Sequence, residues 1–297
     1  MNPKKTQKHM PSLGDIKRRI RSVNSTKQIT KAMEMVSAAK LRKAQTRAEK
    51  ARPYAEKLEL ILANLSRAAI QPGGGVLHPY FEARPVRKTT YVLVTADRGL
   101  CGSFNANLIR RATVVLRKHE PGTAELVCVA KRGYDWFKKR STPVASHHLD
   151  FGGNMDLARV KQITNELTQR FISGETDAIY LIYAKFISTA RSEVTVMPFL
   201  PIEPKPDSQS TVADYIFEPD PVAIFSDLMP RYASTVIQTA LSESFAAEHS
   251  ARMLAMGAAT KSAGEMIDAL TLQFNKARQS SITKELLDIV GGAEAVK

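Results

Sequence analysis

Between Pro221 and Val290 the chain carries no residue that plainly ends a helix. Asp220 is a natural N-cap and Pro221 a natural first helical residue. Val222, Phe225, Met229, Tyr232 and Val236 then recur at three- and four-residue steps, as do Ile267, Leu270, Phe274 and Ala277. Pro230 should kink the helix near its start. Gly257 and Gly264 weaken it without ending it, and Gly291 with Gly292 form the expected stop. Seventy residues of helix measure about 105 Å, whereas a compact chain of this size is only about 50 Å across. Such a helix cannot lie inside its own globule and must project. Near its end Ile282, Leu286, Ile289 and Ala293, with Leu287 and Val290 beside them, make an apolar seam that calls for a partner.

A second long helix is expected at the other end. From Ser12 to Ala69 no glycine follows Gly14, and Pro53 is the only proline, expected to kink or break the helix. Ser12 and Asp15 have the spacing of a capping box. Ala44, Ala48, Ala51, Ala55, Leu58, Leu62, Leu65 and Ala69 alternate steps of four and three, a heptad seam whose alanines invite a closely packed partner helix. The stretch PGGGVLHP (72–79) closes the segment.

Charge is concentrated in this helix. The chain is 297 residues long with a net charge of +14, and residues 1–57 hold sixteen basic side chains against four acids, a local excess of +12. Such a block seeks a polyanion or an acidic protein surface. Lys40, Lys43, Arg47 and Lys50 form a stripe that could follow nucleic-acid phosphates, line a solvated helix face or meet an acidic partner. No aromatic residue precedes Tyr54, which removes base stacking from most of the block.

The middle of the chain has a different texture. TYVLVT (90–95), AELVCVA (124–130), AIYLIYA (178–184) and EVTVMPF (193–199) read as strands. Helical stretches alternate with them at Phe104–His119, around Tyr134–Arg140 and at Met155–Ser173. That alternation predicts an α/β domain with right-handed crossovers, inserted between two terminal helices that pair antiparallel. The expected division is 12–70, 71–210 and 211–297, with a proline-rich exit loop at 198–211.

Chemistry-bearing motifs are sparse. TADRGLCGSFNANL (95–108) sits where phosphate loops occur but lacks the P-loop ending and the dinucleotide glycine pattern. A tight strand-to-helix turn with Asp97 and Asn105 bonding backbone is the preferred reading. An α/β enzyme using this loop stays as an alternative, as does a nucleic-acid-binding coiled coil. His147, His148 and His249 read as surface histidines, since no metal-ligand motif accompanies them. Cys101 and Cys128 read as two ordinary thiols in a reducing compartment. No run approaches a transmembrane length, and the first residues lack the apolar core of a secretory signal.

Three segments, SLGDIKRRIRSVNSTKQITKAMEMVSAAKLRKAQ (12–45), TADRGLCGSFNANL and ARQSSITKELLDIVGGAEA (277–295), closely resemble the gamma subunit of F-type ATP synthases, as does ADYIFEPDP (213–221). Departures are about eleven leading residues, Asp288 in place of a glutamate, and no thiol-bearing regulatory insertion. The resemblance implies a central-stalk rotor: an antiparallel coiled coil of the terminal helices with an inserted Rossmann-like α/β domain. Its implied partners are the alpha and beta subunits, epsilon and the c-subunit ring, with no nucleic acid and no membrane span. It further implies no catalytic site, cofactor or metal in this chain, and a peripheral place on the cytoplasmic face of a bacterial inner membrane. Carried over by position, Met33, Arg252, Gln279, Thr283, Glu285 and Asp288 would serve coupling to beta, and Arg278 with Gln279 would form a polar catch. Tyr215, Phe217 and Glu218 would form a foot near epsilon and the c ring, and Leu286, Leu287, Ile289 and Val290 an apolar bearing tip.

Overall fold

The computed structural model describes residues 12–68, 78–140, 142–202 and 221–294. Two helices bracket the chain, α1 (Leu13–Ala68) and α5 (Pro221–Glu294). Between them lie β1 (Thr89–Val94), α2 (Phe104–Leu116), β2 (Ala124–Val129), α3 (Lys131–Lys138), β3 (Val144–His148), α4 (Leu157–Ile172), β4 (Ala178–Ser188) and β5 (Arg191–Leu200). The chain forms two compact units. One takes the described residues of Ser37–Leu254, the other those of Met1–Val36 and Ala255–Lys297.

The larger unit is built on a sheet of order β3-β2-β1-β4-β5, parallel except for β5, which returns antiparallel beside β4. Strand alternation sends Val92, Val94, Val127, Val129, Leu181 and Tyr183 to one face and Tyr91, Leu93, Leu126, Cys128, Ile182 and Ala184 to the other. The second face is covered by Phe104, Leu108 and Ala112 of α2 with Phe137 of α3. The first is shared between α4, through Val160, Ile163, Leu167 and Phe171, and α5, through Met229, Ala233, Ile237, Leu241 and Phe245. A terminal helix thus takes the place of a crossover helix, and each of its large buried side chains contributes about 1.5–3 kcal/mol. Strand β3 escaped the sequence reading. Its segment VASHH is short and half-buried, and a parallel edge strand needs no continuous apolar run.

In the smaller unit α1 and α5 run antiparallel. Thr260 donates to the Thr30 hydroxyl at 2.8 Å, and Gly257 lies beside Glu34 while Gly264 lies beside Lys27, so one number falls as the other rises. The seam on α5 is Met256, Thr260, Ala263, Ile267, Leu270, Phe274 and Ala277, all less exposed than their neighbours at strict heptad steps. On α1 it runs through Ile16, Ile20, Val23 and Thr30. Threonine occupies core positions here, so the apolar spacing becomes legible in the sequence only from Ala44 onward. The capping box is present. Asp15 N–H donates to Ser12 Oγ at 3.2 Å and the Asp15 carboxylate accepts from the Ser12 hydroxyl at 2.8 Å.

No proline breaks its helix, and the expected stop at the paired glycines is absent. Both helices run through their prolines, Pro53 and Pro230. Helix α5 also passes through Gly291 and Gly292, because neither glycine takes the left-handed φ that a C-terminal cap requires. Among the seam residues named from sequence, Leu58 is 4% exposed. The side chains of Ala48, Ala51, Ala55, Leu62, Leu65 and Ala69, and Asp220, lie outside the described residues, as does most of the proline-rich loop.

Gly257 has room for a methyl group, since a Cβ there would sit 3.6 Å from Glu34 in ordinary contact. Gly257→Ala is expected to stabilise the helix pair by about 0.5–1 kcal/mol through lower unfolded-chain entropy. Urea unfolding of the full chain followed by helix circular dichroism measures it, and a destabilised variant would contradict this packing.

Candidate functional site

A doubly wound sheet opens a crevice where strand order reverses, outside the carboxyl ends of its strands. Here the reversal lies between β1 and β4. Thr95–Gly99 leave β1 at that point, in the stretch that resembled a phosphate loop. Its polar residues hold backbone, as expected. Asp97 accepts from the N–H groups of Lys131 and Asp150 at 3.0 Å each and Gly152 at 2.7 Å. Asn105 accepts from Ala96 N–H at 2.9 Å.

Side chains of α5 fill the crevice. The Arg252 guanidinium, 9% exposed, donates to the Gly99 carbonyl at 3.3 Å and the Arg98 carbonyl at 3.5 Å, and pairs with Glu248 at 2.8 Å. One turn earlier in reach, His249 Nε2–H donates to the Gly153 carbonyl at 2.9 Å. Its Nδ1 faces an Arg252 N–H at 3.5 Å and therefore serves as the acceptor. Gly153 has φ +69°, and a Cβ there would lie 2.6 Å from the His249 ring, so only glycine brings this loop against the helix. Lys40 of α1 completes the junction by donating to the Gly152 carbonyl at 3.2 Å. Ser244 accepts from Ala184 N–H at 3.5 Å, and Ser250 donates to the Thr189 carbonyl, which ties α5 along β4.

Protonation follows from these contacts. Burial pushes His249 down to about 4, opposed next by the upward pull of the Gly153 bond and aided, by less, by the positive charges of Lys40 and Arg252. Burial raises Glu248, with Arg252 pulling it back. His147 stacks on Tyr134 at 4.2 Å, and His148, 9% exposed, pairs with Glu166 at 2.9 Å. His148 and His249 are thus buried structural groups rather than surface histidines. Cys101 and Cys128 are buried, and burial pushes Cys128 up to about 12. No cluster of three metal-ligating side chains exists among the described residues.

The other carried-over positions lie in the smaller unit. Met33 is half-buried on α1. Arg278, Gln279, Thr283, Glu285 and Asp288 are exposed on α5, where Thr283 donates to the Gln279 carbonyl at 2.9 Å and Ser281 donates to Glu285 at 3.3 Å. The antiparallel register sets Leu13, the first residue of α1, opposite about residue 278 of α5. Beyond that point Leu286, Leu287, Ile289 and Val290 are 58–68% exposed. Arg252 stands apart from this group, buried in the α/β unit. Tyr215, Phe217 and Glu218 lie outside the described residues. Sequence reading missed the roles of Glu248, His249 and Lys40. The i,i+4 spacing of Glu248 and Arg252 was the one available signal.

Fold and site define a class: a doubly wound α/β domain whose ligand crevice is occupied by its own terminal helix, joined in sequence to an antiparallel pair with an apolar overhang. The sequence model of a family described as ATP synthase matches residues 12–296. The ATP synthase gamma chain of Pelotomaculum thermopropionicum is 43% identical over 289 residues, covering 97% of this chain and 100% of that one. That of Moorella thermoacetica is 46% identical over 288 residues, with the same coverage of both chains. A chain of the Euglena gracilis mitochondrial ATP synthase (OSCP/F1/c-ring, rotational state 3) shares the fold at TM-score 0.67 and 19% identity, covering 96% of this chain and 94% of that one. A central stalk/c-ring chain of the Tetrahymena thermophila enzyme does so at TM-score 0.59 and 21% identity, covering 78% and 99%. The chain belongs to the ATP synthase gamma chain family.

Two outcomes follow from the junction. Arg252→Met leaves Glu248 buried without its partner and should destabilise the chain by about 3–5 kcal/mol, read as a lowered denaturant midpoint. His249 is held neutral, so the unfolded chain binds a proton there between pH 6.5 and about 4 while the folded chain does not. Stability from this group is complete above pH 6.5 and is lost as pH falls to about 4, by about 3 kcal/mol. Raised Glu248 slopes the opposite way, so the informative quantity is the difference between the parent and His249→Gln. That difference should shrink as pH falls through the window, and a difference constant with pH would contradict the assignment.

Proposed function

We propose that this chain is the rotating central shaft of an ATP synthase, coupling ion flow through a membrane c ring to ATP synthesis or hydrolysis in a surrounding head. The observation that carries the reading is the α5 overhang, whose apolar side chains face solvent beyond a band of exposed polar ones. A contiguous exposed apolar surface of this kind marks an interaction site. An apolar sleeve formed by other chains suits Leu286, Leu287, Ile289 and Val290. The band of Arg278, Gln279, Thr283, Glu285 and Asp288 suits contacts that change with angle, since one deep lock would trap a single orientation.

Partners follow from the same reading. Relatives described as rotor and central stalk/c-ring chains support a place in the stalk, and on this reading an alpha and beta head would surround the helix pair while Tyr215, Phe217 and Glu218 would serve contacts with epsilon and the c ring. The basic residues of α1 suit acidic loops of beta, with Met33 among the contacts. Arg252 contributes as a positioning residue, holding α5 on the sheet. Catalysis on this reading belongs to the surrounding subunits. No described helix is long and apolar enough to cross a membrane, in keeping with attachment to the cytoplasmic face of a bacterial membrane through the c ring.

Coupling needs contacts that differ between states. Arg278→Ala removes a charge-assisted bond worth about 1.5–3 kcal/mol where it forms, and it is exposed enough to spare the fold. In the assembled enzyme the variant should pump several-fold fewer ions per ATP hydrolysed. Unchanged hydrolysis together with unchanged pumping would remove Arg278 from the catch.

A further inference from the structure

Within the α/β unit a narrow cleft opens between α1, the β3–α4 loop and α5. Lys40, Lys43, Ala44 and Arg47 line it from α1, Gly153, Asn154 and Met155 from the loop, and Ser242 and Phe245 from α5. The α1 residues fall at steps of three, one and three, so a single helix face presents all three cations to one point. The cavity is about 30 Å³, open on one side.

Charge in this cleft is not balanced. Lys40 donates to the Gly152 carbonyl at 3.2 Å, a neutral acceptor. Among the described residues, Lys43 and Arg47 make no ion pair. Of the nearby carboxylates, Glu248 attracts Lys40 and keeps one buried oxygen without a hydrogen-bond partner among the described residues, so the excess positive charge rests on Lys43 and Arg47. Glu248 pairs with Arg252 at 2.8 Å, and Asp97 accepts from three backbone N–H groups. Ser242 uses its proton on the Gln238 carbonyl at 2.7 Å, so it supplies no positive dipole, and no lining residue is acidic. Phe245, 3% exposed, and Met155 form an apolar floor, which strengthens any charge pairing above it.

We propose that this cleft binds one small oxyanion of the phosphate class, held by Lys40 at its floor and Lys43 and Arg47 at its mouth. Three convergent cations around a volume of this size suit a compact dianion. Arg47 can engage two of its oxygens and the lysines act as point charges. An acidic protein loop spreads its charges over a longer surface and does not enter a cavity walled by three elements. The bound anion would join α1, the loop and α5 at the point where Lys40 already bridges the first two. This site is separate from the helix overhang, so its failure would leave the shaft reading untouched.

The test is titration of the purified full-length chain with inorganic phosphate by isothermal calorimetry and thermal shift, against chloride at equal ionic strength. Saturable one-site binding is expected, with a dissociation constant at least tenfold weaker in Lys43→Gln/Arg47→Gln and unchanged in Lys161→Gln on α4. Lys43, Arg47 and Lys161 are exposed, so all these variants keep the fold. In crystals of the unaltered chain soaked with selenate, anomalous density should lie between Lys43 and Arg47. A response matched by chloride would overturn the site as mere screening. Binding that persists in the double variant, or selenate found elsewhere, would overturn it as well. Binding of polyglutamate without phosphate would assign the cleft to an acidic protein partner and likewise end the proposal.

Discussion

The α/β unit depends on one substitution of parts: α5 covers the sheet face that α4 alone leaves half open. Met229, Ala233, Ile237, Leu241 and Phe245 join the same apolar cluster as Val92, Val127 and Phe171. Without that helix the inner strands would expose a strip of valine and leucine to water. The buried polar junction above it then has to be satisfied, and most of its groups are, one Glu248 carboxylate oxygen being the exception among the described residues. Arg252 caps carbonyls leaving β1, His249 holds the glycine loop, and Asp97 gathers three amides that loop and turn would otherwise strand. A crevice that binds cofactors in other doubly wound folds is used here to anchor a helix.

The helix pair obeys different physics. Its seam keeps heptad spacing, yet Thr30 and Thr260 sit among the apolar residues. A polar pair in a coiled-coil core sets register at a cost in stability. The Thr30–Thr260 hydrogen bond does this at one level of the seam, and the small side chains let the helices approach closely. Where α1 ends, α5 continues with its apolar residues in solvent, a surface that water disfavours and other chains can cover.

How much of this was legible in advance depends on range. The capping box at Ser12 and Asp15 is a contact between residues three apart, and it appears as read. The inner strands β1, β2 and β4 were visible because burial on both faces demands apolar runs, and the edge strand β5 through its β-branched and aromatic residues, whereas VASHH at the opposite edge escaped. Asp97 and Asn105 were placed on backbone because a strand-to-helix turn leaves amides to be bound nearby. His148 and His249 were misplaced on the surface, because their burial is granted by Glu166 and by Gly153, residues distant in sequence.

By itself the sequence determined that two long helices bracket an α/β domain and that the α5 tip is apolar. Those properties reside in local spacing, composition and length, which no folding partner can change. Only the tertiary structure decided that α5 completes the core of the sheet, that Arg252 is buried beneath the β1 turn, and that Lys40, Lys43 and Arg47 converge on one cleft. Each of these rests on contacts between segments far apart in the chain, Ser244 with Ala184, Arg252 with Gly99 and Lys40 with Gly152, and such pairings are set by how faces pack rather than by any pattern along the chain.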